Sequence, residues 1–184
     1  HQSPSKGRVC MSTFFIADQH FGHSAIIAYE NRPFDDVTQM DETIIANWNR
    51  VVAKQDKVYL LGDLSFYKDE QTAAIVRRLR GLKYLVLGNH DTKGVRTYYS
   101  MGFHRVYDLP VILDSFWMLS HEPLYINANM PYANLFGHVH ASEQYTDCSS
   151  QSFCVCVERI NYTPIAFGEI KRRMGLPPEG DKPE

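Results

Sequence analysis

One feature of this sequence constrains its fold more than any other. It is a short apolar run that ends on a glycine and is followed by three polar residues. Residues 84–87 read Tyr-Leu-Val-Leu, and Gly88 separates them from Asn89, His90 and Asp91. A run this short, rich in aromatic and branched residues and closed by glycine, is typical of a strand buried on both faces. We therefore expect a buried strand whose polar end faces a cleft.

The same construction, an apolar run followed directly by a metal-ligand type of residue, occurs five times. In open α/β sheets the ligand crevice lies beyond the carboxyl ends of the strands, so loop tips from distant parts of the chain can converge there. Gly62, Gly88 and Gly137 each sit just before a polar residue, where the missing Cβ permits a close approach of the backbone to an ion or phosphate. The polar residues that follow the five runs are Asp18 and His20, Asp63, Asn89, His121, and His138 and His140.

Helical spacing and turn signals predict the remaining elements. Ser24 is a suitable N-cap for a short helix through Tyr29, and apolar residues recur at helical spacing over 38–54. Alternating βαβ units followed by a β-rich half predict two packed sheets flanked by helices. Further helices are expected over 70–80 and 93–101, a terminal helix or turn over 164–174, and strands over 57–61, 104–108, 111–113, 116–119, 134–136 and 152–157.

Composition narrows the class of protein. A chain of 184 residues with 44% hydrophobic residues is of a size and composition that suit one globular domain, which we expect over residues 11–175 with flexible termini at 1–10 and 176–184. The formal net charge of -2 does not favour binding to extended nucleic acid. No apolar run reaches the roughly 20 residues that cross a bilayer, so we expect no membrane association and a cytoplasmic location.

The seven candidate ligands are imidazoles, carboxylates and one amide. Such a set without thiolate suits manganese, iron or zinc better than calcium or magnesium. Seven ligands exceed the needs of one ion. If one carboxylate bridges two ions about 3.5 to 4 Å apart, each ion gains four protein ligands and keeps open positions, which is the two-metal arrangement used for displacement at phosphorus.

These motifs, in their order along the chain, closely resemble the calcineurin-like metallophosphoesterase superfamily, and residues 18–23 with the later Arg32-Pro-Phe and Asn47-Trp-Asn look like its small single-domain bacterial and phage members. The resemblance implies an α/β fold, a two-sheet αββα sandwich, and two divalent transition-metal ions, with manganese the choice for assays. It implies that Asp63 is the bridging ligand. It assigns one ion to Asp18, His20, Asp63 and His140, and the other to Asp63, Asn89, His121 and His138.

The same resemblance implies catalytic roles for two residues that are not ligands. His90 would lie by the leaving group as acid or phosphate contact, and Asp91 would orient it. Two further residues leave alternatives open. His23 either contacts a phosphate at the mouth of the site or caps the following helix, and Arg32 is either a phosphate clamp or a solvated loop arginine.

The leading hypothesis is a metal-dependent phosphoesterase that hydrolyses a phosphodiester, of nucleotide or cyclic nucleotide type, by in-line attack of a dimetal-bound hydroxide. The alternatives are a phosphomonoesterase or nuclease on the same dimetal site, and a non-catalytic docking protein with the same fold. Residues 62–66 lack the downstream Asp and Arg of the protein serine/threonine phosphatase branch, which disfavours a protein phosphatase. The expected partner is therefore a small phosphoester or nucleotide.

Overall fold

The computed structural model describes residues 10–145 and 149–176, which form two mixed β-sheets with helices. The first sheet has five strands in the order β4-β3-β2-β1-β9. The first four strands of this sheet along the chain are parallel, and β9 pairs antiparallel with β1. Their bounds are β1 Thr13–Ile16, β2 Lys57–Leu60, β3 Leu82–Val86, β4 Arg105–Tyr107 and β9 Ile165–Ala166.

The second sheet has four strands in the order β5-β6-β7-β8. The pair β5 and β6 is antiparallel, whereas β6, β7 and β8 run parallel. A 3-10 turn, Val157–Arg159, follows the last of these strands. The bounds are β5 Val111–Leu113, β6 Trp117–Leu119, β7 Ala133–Phe136 and β8 Ser152–Cys154.

Five α-helices are found in the described residues, and the longest shows why the sequence is helical there. The Asp36 side chain accepts a hydrogen bond from the backbone N–H of Gln39 at 2.8 Å, which caps α2. Met40, Ile44 and Trp48 recur at helical spacing and are fully buried. The helices are α1 Ser24–Tyr29, α2 Val37–Val51, α3 Asp69–Arg78, α4 Val95–Ser100 and α5 Phe167–Arg173.

One hydrophobic core joins the two sheets. The Phe167 ring contacts Phe15 of the first sheet and Trp117 of the second, with ring centroids 5.1 and 4.9 Å apart. The sheets also meet where β1 and β8 end, because the backbone N–H of Ala17 donates to the carbonyl of Val155 at 2.9 Å. The loops that follow strands of both sheets therefore open on one common region.

The expected α/β fold with two sheets and helices is confirmed, and most elements lie within a few residues of their predicted bounds. Strand β9, Ile165–Ala166, was not predicted, because it lies inside the expected terminal helix or turn. Two residues are too few to show the alternation of apolar and polar residues that indicates a strand. Residues 1–9 and 177–184 of the expected flexible termini lie outside the described residues. Within the described part of the chain, no helix is long and apolar enough to span a membrane.

Candidate metal centre

Six of the seven candidate ligands form two groups whose ligand atoms lie within 4.8 Å of one another. The first group is Asp18, His20 and His140, and the second is Asp63, His121 and His138. These residues follow β1, β2, β6 and β7, so they come from both sheets. The convergence predicted for these strand ends is therefore observed.

The first group is built around Asp18, which is completely buried. Its Oδ2 accepts hydrogen bonds from the backbone N–H of His138 at 2.8 Å and from the Cys156 thiol at 3.3 Å. These bonds turn Oδ1 toward His20 and His140, whose Nε2 atoms each lie 3.7 Å from it. Cys156, which the sequence did not single out, thus helps to orient this carboxylate.

Two atoms of the first group have no hydrogen-bond partner although they are buried. They are Oδ1 of Asp18 and Nε2 of His20. Buried polar atoms are nearly always hydrogen-bonded in folded proteins, so an unpartnered pair that faces the same point calls for an explanation. A divalent cation would satisfy both atoms, and the carboxylate and imidazole donors fit such an ion.

Asp63 lies between the two groups. Its Oδ2 is 3.5 Å from Nε2 of His20 in the first group and 3.5 Å from Nε2 of His121 in the second. The seventh candidate, Asn89, completes the second group because its Oδ1 lies 2.9 Å from Nε2 of His121 and 3.1 Å from Nδ1 of His138. One carboxylate is therefore shared between the two groups.

Partners on the far side of the imidazole rings set the orientation of two histidines. Nδ1 of His121 lies 2.8 Å from the carbonyl oxygen of Leu61, which can only accept, so Nδ1 carries a proton and Nε2 is the ring nitrogen that faces the site. Nδ1 of His140 lies 3.0 Å from Oε1 of Glu158 in the same way. Glu158 was missed in the sequence, although it directly follows the apolar run 153–157 and the construction used for the other candidates could have found it.

The prediction that Arg32 clamps a phosphate is wrong, and so is its alternative of a solvated loop arginine. Its side chain is 0% exposed. The guanidinium donates to Glu158 at 2.7 Å and to the backbone carbonyls of Asp18 and Gln19 at 2.8 and 2.9 Å. Arg32 therefore holds the loop that carries Asp18 and neutralises Glu158 from inside the protein.

His23 lies against the first group and does not cap a helix through its side chain. Helix α1 begins at Ser24, which makes His23 the N-cap residue in place of the predicted serine, but the imidazole makes no capping hydrogen bond. Its Nδ1 lies 3.0 Å from Nδ1 of His20. Of the two alternatives for His23, side-chain capping is excluded, and phosphate contact stays a prediction.

His90 and Asp91 occupy different environments. The His90 side chain is 50% exposed, and its Nε2 lies 4.0 Å from Oδ2 of Asp63. Asp91 is buried and does not contact the His90 ring, because its two carboxylate oxygens accept from the backbone N–H groups of Asp63, Leu64 and Gly88 at 2.7, 3.0 and 2.8 Å. The prediction that Asp91 orients His90 is therefore wrong, and Asp91 instead ties together the loops after β2 and β3.

The backbone is bent sharply at the ligands. Among the described residues, ten non-glycine residues have a positive φ, and five of them are Asp18, His20, Asp63, His138 and His140. This conformation costs about 1 to 2 kcal/mol per non-glycine residue, and strain of this kind gathers at functional sites. The surrounding contacts hold the backbone in this conformation. The backbone N–H of Asp63 donates to Asp91, and Arg32 donates to the backbone carbonyl of Asp18.

Two glycines make room for the carboxylates. A Cβ on Gly137 would lie 2.5 Å from Oδ2 of Asp18, and a Cβ on Gly88 would collide with Oδ1 of Asp63. The missing Cβ of these glycines thus permits the close approach of an aspartate side chain, while the approach of an ion or phosphate stays a prediction.

Opposite charges around the site shift several pKa values. Burial alone raises the pKa of a carboxyl group, but the imidazoles of His121 and His20 hold the pKa of Asp63 well below its usual range. Burial alone lowers the pKa of His121, yet Asp63 and Asp18 raise it to about 9. Asp63 and Asp18 thus favour positive charge on the imidazole of His121.

Comparisons with known proteins identify relatives of this chain. No family model matches the chain. The uncharacterized protein MJ1445 of Methanocaldococcus jannaschii is 35% identical over 164 residues, which cover 85% of this chain and 88% of that protein. The chain belongs to the same family as MJ1445. The gene 66 protein of Mycobacterium phage L5 is 39% identical over 83 residues, 44% of this chain and 40% of that protein.

The same fold is found in a solved structure. The crystal structure of AQ665, a protein of unknown function from Aquifex aeolicus, superposes with a TM-score of 0.69 at 25% identity. The superposition covers 89% of this chain and 99% of AQ665. The similarity to both MJ1445 and AQ665 therefore extends over most of this chain and most of each of those proteins.

Proposed function

We propose that this protein is a metal-dependent phosphoesterase of the calcineurin-like metallophosphoesterase type, with that family's αββα sandwich, and that it hydrolyses a phosphodiester of nucleotide or cyclic nucleotide type. The observation that carries the proposal is the position of Asp63, whose Oδ2 lies 3.5 Å from a histidine of each ligand group. A shared carboxylate between two groups of ligands is the arrangement that two-metal displacement at phosphorus requires.

Each ion would have four ligands from the chain. Asp63 would serve both ions, and two divalent ions such as manganese, iron or zinc would lower the pKa of bound water and neutralise charge on the phosphoryl oxygens. Mixed imidazole and carboxylate donors support this choice of metals. The first ion would be held by Asp18, His20, His140 and Asp63, and the second by Asp63, Asn89, His121 and His138.

His90 is the residue we propose as the general acid. It is half exposed at the mouth of the site, and it lies beside Asp63 without being required in either ligand group. Its backbone N–H donates to Oδ1 of Asp63 at 2.9 Å, which fixes the residue next to the bridging carboxylate. From there its imidazolium can give a proton to the departing oxygen of the ester.

A substrate panel with defined metals tests the proposal. The purified protein, freed of metal and then supplied with Mn²⁺, is assayed on bis(p-nitrophenyl) phosphate, on cyclic nucleotides and on p-nitrophenyl phosphate. We expect turnover of diesters that depends on added metal and disappears with a chelator. Turnover of monoesters alone would contradict the diester assignment, and no metal-dependent turnover of any ester would contradict the enzyme assignment.

A further inference from the structure

An exposed aromatic ring lies directly beside the candidate metal centre. Phe66 is 42% exposed, and its ring centroid lies 4.0 Å from that of His23, 5.1 Å from that of His20 and 5.1 Å from that of His90. His20 is a candidate ligand and His90 is the proposed general acid. The ring therefore borders the place where the phosphoryl group and its leaving group would lie.

The loop that carries Phe66 is held firmly on both sides. The backbone N–H of Phe66 donates to the carbonyl of Phe21 at 2.8 Å. The hydroxyl of Tyr67 donates to Asp41 at 2.9 Å, and the carbonyl of Tyr67 accepts from Lys93 at 2.9 Å. Because the backbone is already ordered, a ligand that contacts Phe66 does not have to order the loop on binding.

A second exposed ring extends the surface. Tyr29 is 76% exposed, and its ring lies 6.4 Å from that of His23 at an angle of 70°. We call Phe66, His23 and Tyr29 the aromatic shelf. The neighbouring candidate ligands supply carboxylates and imidazoles for ions and phosphate, whereas Phe66 and Tyr29 offer exposed aromatic rings that neither needs.

We propose that the aromatic shelf binds the base of a nucleotide substrate, and that Phe66 sets the preference for a phosphoester that carries a nucleobase over one that does not. This inference rests on the proposed function, because it places the phosphate at the metal centre. An aromatic side chain on an ordered loop stacks with any base through its π face, so the shelf selects for a base without selecting among bases.

Equilibrium binding to the manganese-loaded protein tests the inference without relying on turnover. The probes are the analogues of AMP and of ribose 5-phosphate in which a methylene group replaces the bridging oxygen, since their P–C bond is not hydrolysed. Stacking on one aromatic side chain strengthens binding enough that we expect the adenosine analogue to bind about 10-fold more tightly than the ribose analogue. In Phe66→Leu this ratio falls to near one, while the affinity for the ribose analogue is unchanged.

Two control variants test whether the effect of Phe66→Leu comes from the loss of its aromatic ring. Phe66→Tyr keeps an aromatic ring, so the ratio of the affinities for the adenosine and ribose analogues should not change. Tyr99→Leu removes a ring of nearly equal exposure, 41%, from α4, and should also leave this ratio unchanged. A ratio near one in the wild type, or an unchanged ratio in Phe66→Leu, would overturn the role of the shelf alone. If neither analogue binds, the inference fails, and the substrate panel decides the proposed function: metal-dependent turnover of diesters would leave it standing, and no turnover would overturn it as well.

Discussion

At the scale of single residues, the role of His90 can be tested separately from metal binding, because His90 adjoins the candidate ligand Asn89 but is not one of the seven candidate ligands. Replacing it with alanine should leave metal content unchanged and slow hydrolysis of an alkyl or ribose ester by about 10²- to 10⁴-fold, the usual scale of general acid catalysis. A nitrophenolate leaves without a proton, so the loss on an activated aryl ester should be much smaller. Turnover of both esters is measured at one pH with metal-replete protein.

A matched control is His104→Ala. The backbone N–H of His104 donates to the carbonyl of Lys83 near the start of β3, whereas Asn89 follows the end of that strand. His104 therefore lies at the opposite end of the sheet, and its loss should change neither reaction. Equal loss on both esters in His90→Ala would assign His90 to holding the phosphate rather than to proton transfer.

At the scale of elements, the site depends on how the loop after β2 is fixed to the loop after β3. Asp91 performs this task, since its carboxylate accepts three backbone N–H groups from the two loops. In Asp91→Asn one oxygen becomes a donor and leaves buried N–H groups without an acceptor, which costs about 1–3 kcal/mol. We expect the free energy of unfolding to fall by that amount in urea titrations of the metal-free protein.

Asp35→Asn provides the comparison for Asp91→Asn, because it makes the same chemical change at an exposed position. Its stability should remain within about 0.5 kcal/mol of the wild type. If Asp91→Asn keeps wild-type stability but loses turnover only on esters that need a proton, Asp91 would act on the His90 ring after all, against the contacts described above.

At the scale of the whole molecule, what the sequence predicted and what it did not have a common physical explanation. The convergence of candidate ligands such as Asp63 and His121 was predicted because each follows an apolar strand, and parallel strands bring their carboxyl ends to one edge. Cys156 was missed because its thiol supports Asp18 through a contact that no strand pattern encodes, whereas Glu158 directly follows the apolar run 153–157 and was overlooked although the same pattern applies to it. Arg32 was misassigned because its chemistry suits phosphate equally well, and only the packed structure places its guanidinium inside, against Glu158 and two carbonyls.

The central claim is that one chain holds two ions through a shared Asp63, and equilibrium titration of the metal-free protein with Mn²⁺ tests it most directly. The wild type should bind two Mn²⁺ per chain. Asp63→Asn removes negative charge from both sites at once, so the affinity of each site for Mn²⁺ should fall by more than about 100-fold. Loss of a residue that only supports a ligand lowers metal affinity by less, about 10- to 100-fold. Binding of one ion or none by the wild type, or two undiminished sites in Asp63→Asn, would contradict the account.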